Sequence, residues 1–212
     1  MVSLGELMRE AGIVQRGDPI LGPSGPESAE PPLLTVSQVA GRRVRAAAPF
    51  DLPREASVAR SVLDGLHATI GRAIERYAYQ GGRGITGIAA PQIGVDRAAV
   101  LVREPGAEFL ELLNPRVLAQ EGHAERYEGC LSMFDWRGLV ERPALVEIEH
   151  QNLAGVTRVT RFGPGMAGSV MHEIDHLNKV LFDEVRVPGT RLIPVAEYRS
   201  ATRPSNRTGT DS

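Results

Sequence analysis

The order of its patterned segments is the feature that most restricts how this chain can fold. Four short strand-like runs at 98–103, 108–113, 144–150 and 156–162 precede a predicted helix at 166–180. Asn114 and Pro115 are expected to end the second run, and residues 152–155 are typical of a hairpin turn. Strands that precede a late helix, without regular strand–helix alternation, favour an α+β fold. The 23 glycines and 15 prolines argue against an all-helical bundle.

The first half of the chain contains one strongly periodic segment. Apolar residues recur there at three- and four-residue steps, which predicts an amphipathic helix at 53–79 with Pro53 in its first turn and Gly81-Gly82 as its stop. The periodic residues are Val62, Leu63, Leu66, Ile70, Ile74 and Tyr77. Residues 1–50 are rich in turn formers and predict a loop-rich N-terminal arm, and the polar residues 200–212 predict a disordered tail. We therefore expect a single domain over 1–199.

Composition excludes several classes of protein. The formal net charge is −2 with lysines and arginines scattered, so no direct nucleic-acid readout is expected. No apolar run approaches the roughly 18 residues of a membrane span, and charges in the first ten residues argue against a signal peptide. The one cysteine is compatible with a reducing compartment, which predicts a cytoplasmic protein. No large apolar stripe is left unassigned, so a monomer is expected.

The segment His172-Glu173-Ile174-Asp175-His176 is the sharpest chemical feature. On a helix, residues four apart lie on nearly the same face, about 6 Å apart along the axis. Two imidazoles at this spacing can bind one metal ion, with Glu173 beside them as a general base. Histidines on a helix are also often merely solvated, so the spacing alone does not decide between the two interpretations.

A catalytic site of this class typically has three protein ligands and one open position. The six-residue spacing that would supply another histidine places Phe182 there instead, and the soft ligand available is Cys130, within Glu128-Gly129-Cys130-Leu131-Ser132. A lone cysteine is more often a buried small apolar residue. A further segment, 87–94, combines small residues with Gln92, whose amide can donate a hydrogen bond; alone it is equally typical of a plain turn.

Taken together and in this order, the three segments resemble the peptide deformylase family. The resemblance extends to GDPIL (17–21), LLNP (112–115), RGLVERP (137–143) and HLNKVLFDE (176–184), and covers roughly residues 13–185. It implies a hydrolase that removes the formyl group from the N-terminus of newly made proteins. An N-formylated peptide is then the substrate, and transient association with the ribosome is expected.

The resemblance also assigns roles to residues. Cys130, His172 and His176 would bind one divalent metal, which lowers the pKa of a water molecule, and Glu173 would accept that water's proton. Gln92 and the backbone N–H of Leu131 would form the oxyanion hole. Substrate contacts are expected at Gly87, Ile88, Glu128, Gly129, Gly165, Gly168 and Ser169. The family favours Fe²⁺ in the cell, and Zn²⁺, Ni²⁺ or Co²⁺ can occupy such a site in purified protein. Asp175 is a candidate acceptor for a ligand imidazole, or else a solvated helix residue.

The chain also departs from the family's pattern. Ile85 replaces a glycine ahead of the 87–94 segment, Met133, Phe134, Asp135 and Trp136 follow Ser132 where a proline is common, and Asn178 replaces a frequent glycine. Gly165, Gly168 and Ser169 stand where the family usually has larger apolar residues that line the methionine pocket. We hypothesise that this pocket is wider than a formylmethionine pocket, or differently shaped.

Three other functions compete with a deformylase of nascent chains. The first is a specialised relative that hydrolyses another small formylated compound in a dedicated pathway, which the loop-rich arm and the small pocket residues favour. The second is a metallopeptidase that cuts internal bonds, against which the cysteine ligand argues. The third is a catalytically inactive scaffold, which the presence of Glu173 disfavours.

Overall fold

The computed structural model describes residues 46–77 and 85–202 of the 212-residue chain. Within those ranges the helices are α1 (Ala56–Tyr77), α2 (Ala167–Leu177) and α3 (Val195–Thr202), with a short 3₁₀ helix at Ala90–Ile93. The strands are β1 (Gly87–Ala89), β2 (Ala99–Val102), β3 (Leu110–Glu121), β4 (Ala124–Cys130), β5 (Met133–Arg142), β6 (Leu145–Gln151), β7 (Thr157–Phe162) and β8 (Ile193–Pro194). The predicted arm up to residue 45 and the glycine stop of the first helix lie outside the described residues.

The strands form two antiparallel sheets. A five-stranded sheet has the order β1-β2-β3-β6-β7, and a three-stranded sheet has the order β4-β5-β8. The α+β prediction is confirmed, because helices and antiparallel sheets occupy separate parts of the chain. Within the described residues, no helix is both long and apolar enough to span a membrane.

Strands β1 and β2 of the five-stranded sheet are buried between α1 and α2, and β2 shows why. Successive side chains of a strand point to opposite faces, so Leu101 joins the α1 side of the core and Val100 joins the α2 side. The α1 side also contains Val62, Leu63, Leu66, Ile70, Ile88 and Leu113, and the α2 side contains Leu112, Val146, Ile148, Val170, Ile174 and Leu177. Full burial of each such aliphatic side chain contributes about 1.5–3 kcal/mol, so the sheet is a rigid support for α2.

One prediction about the strands was wrong, and four strands were not predicted. Asn114 and Pro115 do not end a strand, because β3 continues through them with a register shift between Leu113 and Arg116. Asn114 adopts a φ of 51°, which asparagine tolerates better than most residues, and its amide exchanges hydrogen bonds with the backbone of Phe50. The strands that were not predicted are β1, β4, β5 and β8.

The remaining local predictions agree more closely with the structure. The turn at 152–155 is present, with Asn152 Oδ1 accepting the N–H groups of Ala154 and Val156 and Gly155 at a φ of 75°. The helices predicted at 53–79 and 166–180 are present as α1 and α2, each shorter than predicted. Residues 200–202 belong to α3 rather than to a disordered tail, and 203–212 lie outside the described residues.

Candidate metal centre

Cys130 is held at the tip of a hairpin. It is the last residue of β4 and pairs with Met133 of β5, so that Leu131 and Ser132 form a two-residue loop between the strands. The backbone N–H of Ser132 donates to the Cys130 Sγ at 3.3 Å. The position of the sulfur is therefore fixed. It lies beside a two-residue loop whose residues are not paired in the β4–β5 ladder.

Helix α2 brings the two histidines to this sulfur. The Cys130 Sγ lies 3.1 Å from His176 Nε2, and the candidate ligand atoms of Cys130, His172 and His176 all lie within 4.8 Å of one another. All three residues are buried. The structure thus brings together the three side chains that the sequence indicated as ligands.

The electrostatics of the cluster favour a thiolate. Burial opposes ionisation of the Cys130 thiol, but the neighbouring rings of His176 and His172 outweigh it and hold the pKa of that thiol well below its ordinary value. A thiolate and two imidazoles form a donor set that suits Zn²⁺ or Fe²⁺. The donor set and its spacing therefore fit one divalent ion.

Glu128 fixes the orientation of His172. Its Oε2 accepts a hydrogen bond from His172 Nδ1 at 2.9 Å, and a carboxylate can only accept, so Nδ1 must be the protonated nitrogen. This leaves Nε2 of the same ring with its lone pair available to a metal. Burial would raise the pKa of Glu128, but His172 and Arg142 together lower it to about 2.

Asp175 contacts neither ligand ring. Arg142 donates to both Glu128 oxygens, at 3.1 and 2.9 Å, and to Asp175 Oδ2 at 2.6 Å. Of the two alternatives for Asp175, the acceptor role is corrected: Glu128 is the acceptor for His172, and Asp175 instead accepts a hydrogen bond from Arg142. Among the described residues, His176 Nδ1 is buried without a hydrogen-bond partner.

Glu173 lies beside the candidate metal ligands and is buried. It is 5% exposed, and burial is the main reason why its pKa is raised to about 7. Its Oε2 has no hydrogen-bond partner within the described residues. On the other side, Gly87 of β1 approaches so closely that a Cβ there would lie 2.5 Å from Glu173 Oε1. One carboxylate oxygen thus lies against β1, and the other is buried without a hydrogen-bond partner among the described residues.

Gln92 directs its amide nitrogen towards the centre. Its Oε1 accepts the backbone N–H of Ala89 at 2.8 Å, which fixes the orientation of the carboxamide. Its Nε2 donates to Ser132 Oγ at 3.3 Å and lies 3.5 Å from the Cys130 Sγ. Ile88, three residues after Ile85, places its side chain in the core.

The predicted substrate-binding residues in α2 and just before it have different surroundings. A Cβ at Gly165 would meet nothing within 4 Å, whereas one at Gly168 would meet the side chain of Arg126, with Cδ at 2.9 Å. Ser169 Oγ accepts a hydrogen bond from Thr86 Oγ1 at 3.3 Å. On β4, a Cβ at Gly129 would meet the guanidinium of Arg137. Neither arginine was predicted from the sequence to be part of the site.

Comparison with known proteins shows which family the chain belongs to. The family model of polypeptide deformylases matches residues 46–189. The chain belongs to the polypeptide deformylase family. The peptide deformylase of Carboxydothermus hydrogenoformans is 40% identical over 108 residues, which cover 51% of this chain and 68% of that protein. The peptide deformylase of Alkaliphilus metalliredigens is 37% identical over 98 residues, which cover 46% of this chain and 66% of that protein. The matched segment thus spans about two thirds of each of these relatives.

Solved deformylase structures show the same fold. The Met-Ala-Ser-bound class I type b peptide deformylase from Acinetobacter baumannii aligns with a TM-score of 0.59 and 28% identity, over 73% of this chain and 96% of that chain. A peptide deformylase from Legionella pneumophila aligns with a TM-score of 0.61 and 24% identity, over 82% of this chain and 98% of that chain. The similarity to the Legionella pneumophila structure supports the fold alone.

Proposed function

We propose that this deformylase-family chain is a metal-dependent hydrolase that removes the formyl group from N-formylmethionyl peptides and releases formate. The observation that carries the proposal is the buried group of Cys130, His172 and His176 with Glu173 beside it. The Acinetobacter relative binds Met-Ala-Ser, which is the deformylated form of such a peptide. This resemblance supports a peptide as the substrate.

The resident metal is proposed to be Fe²⁺ in the cell, with Zn²⁺, Ni²⁺ or Co²⁺ as alternatives in purified protein. A divalent ion held by Cys130, His172 and His176 would lower the pKa of a water molecule from 15.7 towards about 7. The borderline-soft donor set supports either iron or zinc.

Glu173 is proposed to be the general base and then the general acid. Its carboxylate accepts a proton from the attacking water as the new C–O bond forms, and it returns the proton to the amine nitrogen as the C–N bond of the formamide breaks. A pKa of about 7 suits both transfers, because the same group must gain and lose a proton near neutral pH.

Gln92 and Leu131 are proposed to stabilise the oxygen of the formyl group as it gains negative charge. The fixed orientation of the Gln92 amide supports this role, and Leu131 lies in the hairpin loop directly after the cysteine ligand. Removal of one such donor costs about 10²–10³ in rate. Gly87, Gly129 and the backbone around Ile88 are proposed to contact the peptide. For Glu128 we propose action through His172 instead, because its carboxylate already has two partners.

The same proposal includes a cellular setting. A deformylase of nascent chains would work as a monomer in the cytoplasm and associate transiently with the ribosome.

The test is formate release from formyl-Met-Ala-Ser by protein loaded anaerobically with Fe²⁺. Rapid release is expected, and Glu173→Gln should reduce kcat by about 10²–10⁴. Glu104→Gln, at an exposed position remote in sequence from the centre, is the matched control and should retain activity. Cleavage of internal peptide bonds, or no formate from fully metal-loaded protein, would contradict the proposal.

A further inference from the structure

Three residues of strand β4 each lie against one residue of helix α2, at regular spacing along both elements. Cys130 lies against His176, and Glu128 against His172. The third contact places Arg126 against Gly168. Two residues of a strand advance about 6.6 Å and four residues of a helix about 6 Å, so the two elements stay in step. Arg126 is therefore one step beyond the His172–Glu128 contact.

The guanidinium of Arg126 occupies the space that a side chain at position 168 would take. Gly168 lacks a Cβ, and one built there would meet the guanidinium and lie 2.9 Å from Arg126 Cδ. The Arg126 side chain is 37% exposed, and its nearest carboxylate oxygen is Glu128 Oε1 at 3.8 Å. That distance is too long for a hydrogen bond. Glu128 is also already bound by Arg142 and His172.

Two hydroxyl groups extend this polar surface along α2. Ser169 follows Gly168 and precedes Glu173 by one helical turn, and its Oγ accepts a hydrogen bond from Thr86 Oγ1. Thr86 directly precedes Gly87, whose backbone lies against the Glu173 carboxylate. The wall beside the reacting groups thus carries a guanidinium and two hydroxyls.

We propose that Arg126 lines the pocket for the substrate's first side chain and lets the enzyme accept N-formyl peptides that begin with glutamate or aspartate. The inference rests on the proposed function, because it specifies the substrate of that same site. A pocket lined by carbon atoms alone would reject a carboxylate, since the charge would lose its hydration without compensation. The guanidinium of Arg126 has no acceptor within hydrogen-bond distance among the described residues, so it can provide that compensation through charge-assisted hydrogen bonds.

The experiment compares kcat/KM for formyl-Glu-Ala-Ser, formyl-Gln-Ala-Ser and formyl-Met-Ala-Ser on the Fe²⁺-loaded full chain. Glutamate and glutamine have nearly the same shape, so their ratio isolates the effect of charge. The wild type is expected to prefer formyl-Glu over formyl-Gln by about 10-fold to 100-fold, the range for a charge-assisted hydrogen bond.

Three variants test whether Arg126 causes that preference. Arg126→Met keeps the length of the stem but removes the charge, and should abolish the preference for glutamate. Arg126→Lys keeps a charge and should restore part of it. Gly168→Ala leaves Arg126 in the chain but displaces its guanidinium, while alanine favours the helix, and should also reduce the preference.

Arg116→Met is the control, because Arg116 is an exposed arginine paired with Glu149 on the five-stranded sheet. Its Glu-to-Gln ratio should equal that of the wild type. A wild-type ratio of one or less, or a ratio that Arg126→Met leaves unchanged, would overturn the inference and leave the deformylase proposal standing. If no formyl peptide is hydrolysed, both fail.

Discussion

Glu128 connects His172, one of the candidate metal ligands, to a buried network of charged side chains. Its carboxylate accepts the Nδ1–H of His172 and two N–H groups of Arg142, and Arg142 also binds Asp175. Burial of these charges is costly, and it is offset only because every partner is hydrogen-bonded. The network therefore acts on the metal centre through the tautomer and orientation of one imidazole.

Glu128→Gln should weaken metal binding by about 10-fold to 100-fold, because a carboxamide holds the His172 ring less firmly and carries no charge. A competition titration against a chelator measures this affinity. The effect should persist from about pH 5 upward: the folded-state pKa of about 2 lies below the ordinary 4.5, so the stabilisation by the charge is present above the ordinary value and is lost only as pH falls towards 2.

Glu125→Gln provides the comparison for that titration. Glu125 is exposed and lies on the same strand, three residues from Glu128. Its side chain therefore points to the opposite face of the strand. Its substitution should leave metal affinity unchanged. Equal affinities for Glu128→Gln and the wild type would show that the Glu128–His172 contact does not tune the centre.

Among the elements, the close approach of β1 to α2 depends on Gly87. Residue 87 has no side chain, and this lets the edge strand lie against the Glu173 carboxylate. The same strand pairs with β2, whose side chains are buried on both faces between the helices. The position of Glu173, the proposed general base, is thus limited by a strand of the sheet rather than by a loop.

Gly87→Ala should reduce kcat by at least about 10-fold, because its Cβ would lie 2.5–2.9 Å from three atoms of the Glu173 side chain and force it to move. Formate release and circular dichroism together measure activity and folding. The control is Gly71→Ala in α1, where a Cβ would meet nothing within 4 Å and should stabilise the helix by about 1 kcal/mol. Full activity of Gly87→Ala would refute this account of the base.

The sequence predicted those elements whose buried face repeats regularly. Both long helices and the β6–β7 hairpin were found this way, and so was the His172–His176 spacing. Strands β4 and β5 were not predicted because some of their buried positions hold charged residues, Glu128 and Arg142, so hydrophobicity does not follow burial there. Because β4 was not predicted as a strand, the sequence did not indicate that the side chains of Glu128 and Arg126 share a strand face with Cys130. The Glu128–His172 contact joins residues 44 apart, and no local pattern carries that information.

At the scale of the whole molecule, the candidate metal centre joins two sheets. Cys130 belongs to the three-stranded sheet, whereas the histidines belong to the helix packed on the five-stranded sheet. The cysteine and His176 are 46 residues apart in the chain. A ligand set assembled from distant segments exists only in the folded state, so metal binding and folding are thermodynamically linked.

Metal loading should therefore raise the melting temperature of the full chain. A free metal concentration 1,000 times the Kd would add about 4.1 kcal/mol to the free energy of unfolding, and each kcal/mol corresponds to about 2–4 °C for a protein of this size. Calorimetry of the Fe²⁺-loaded and chelator-treated protein measures the shift. Cys130→Ser removes the thiolate and should eliminate most of it, because serine is a far weaker ligand for these ions. If the chelated and loaded proteins melt together, the two sheets are not joined by a metal, and Cys130 would instead be a buried small residue at the tip of its hairpin.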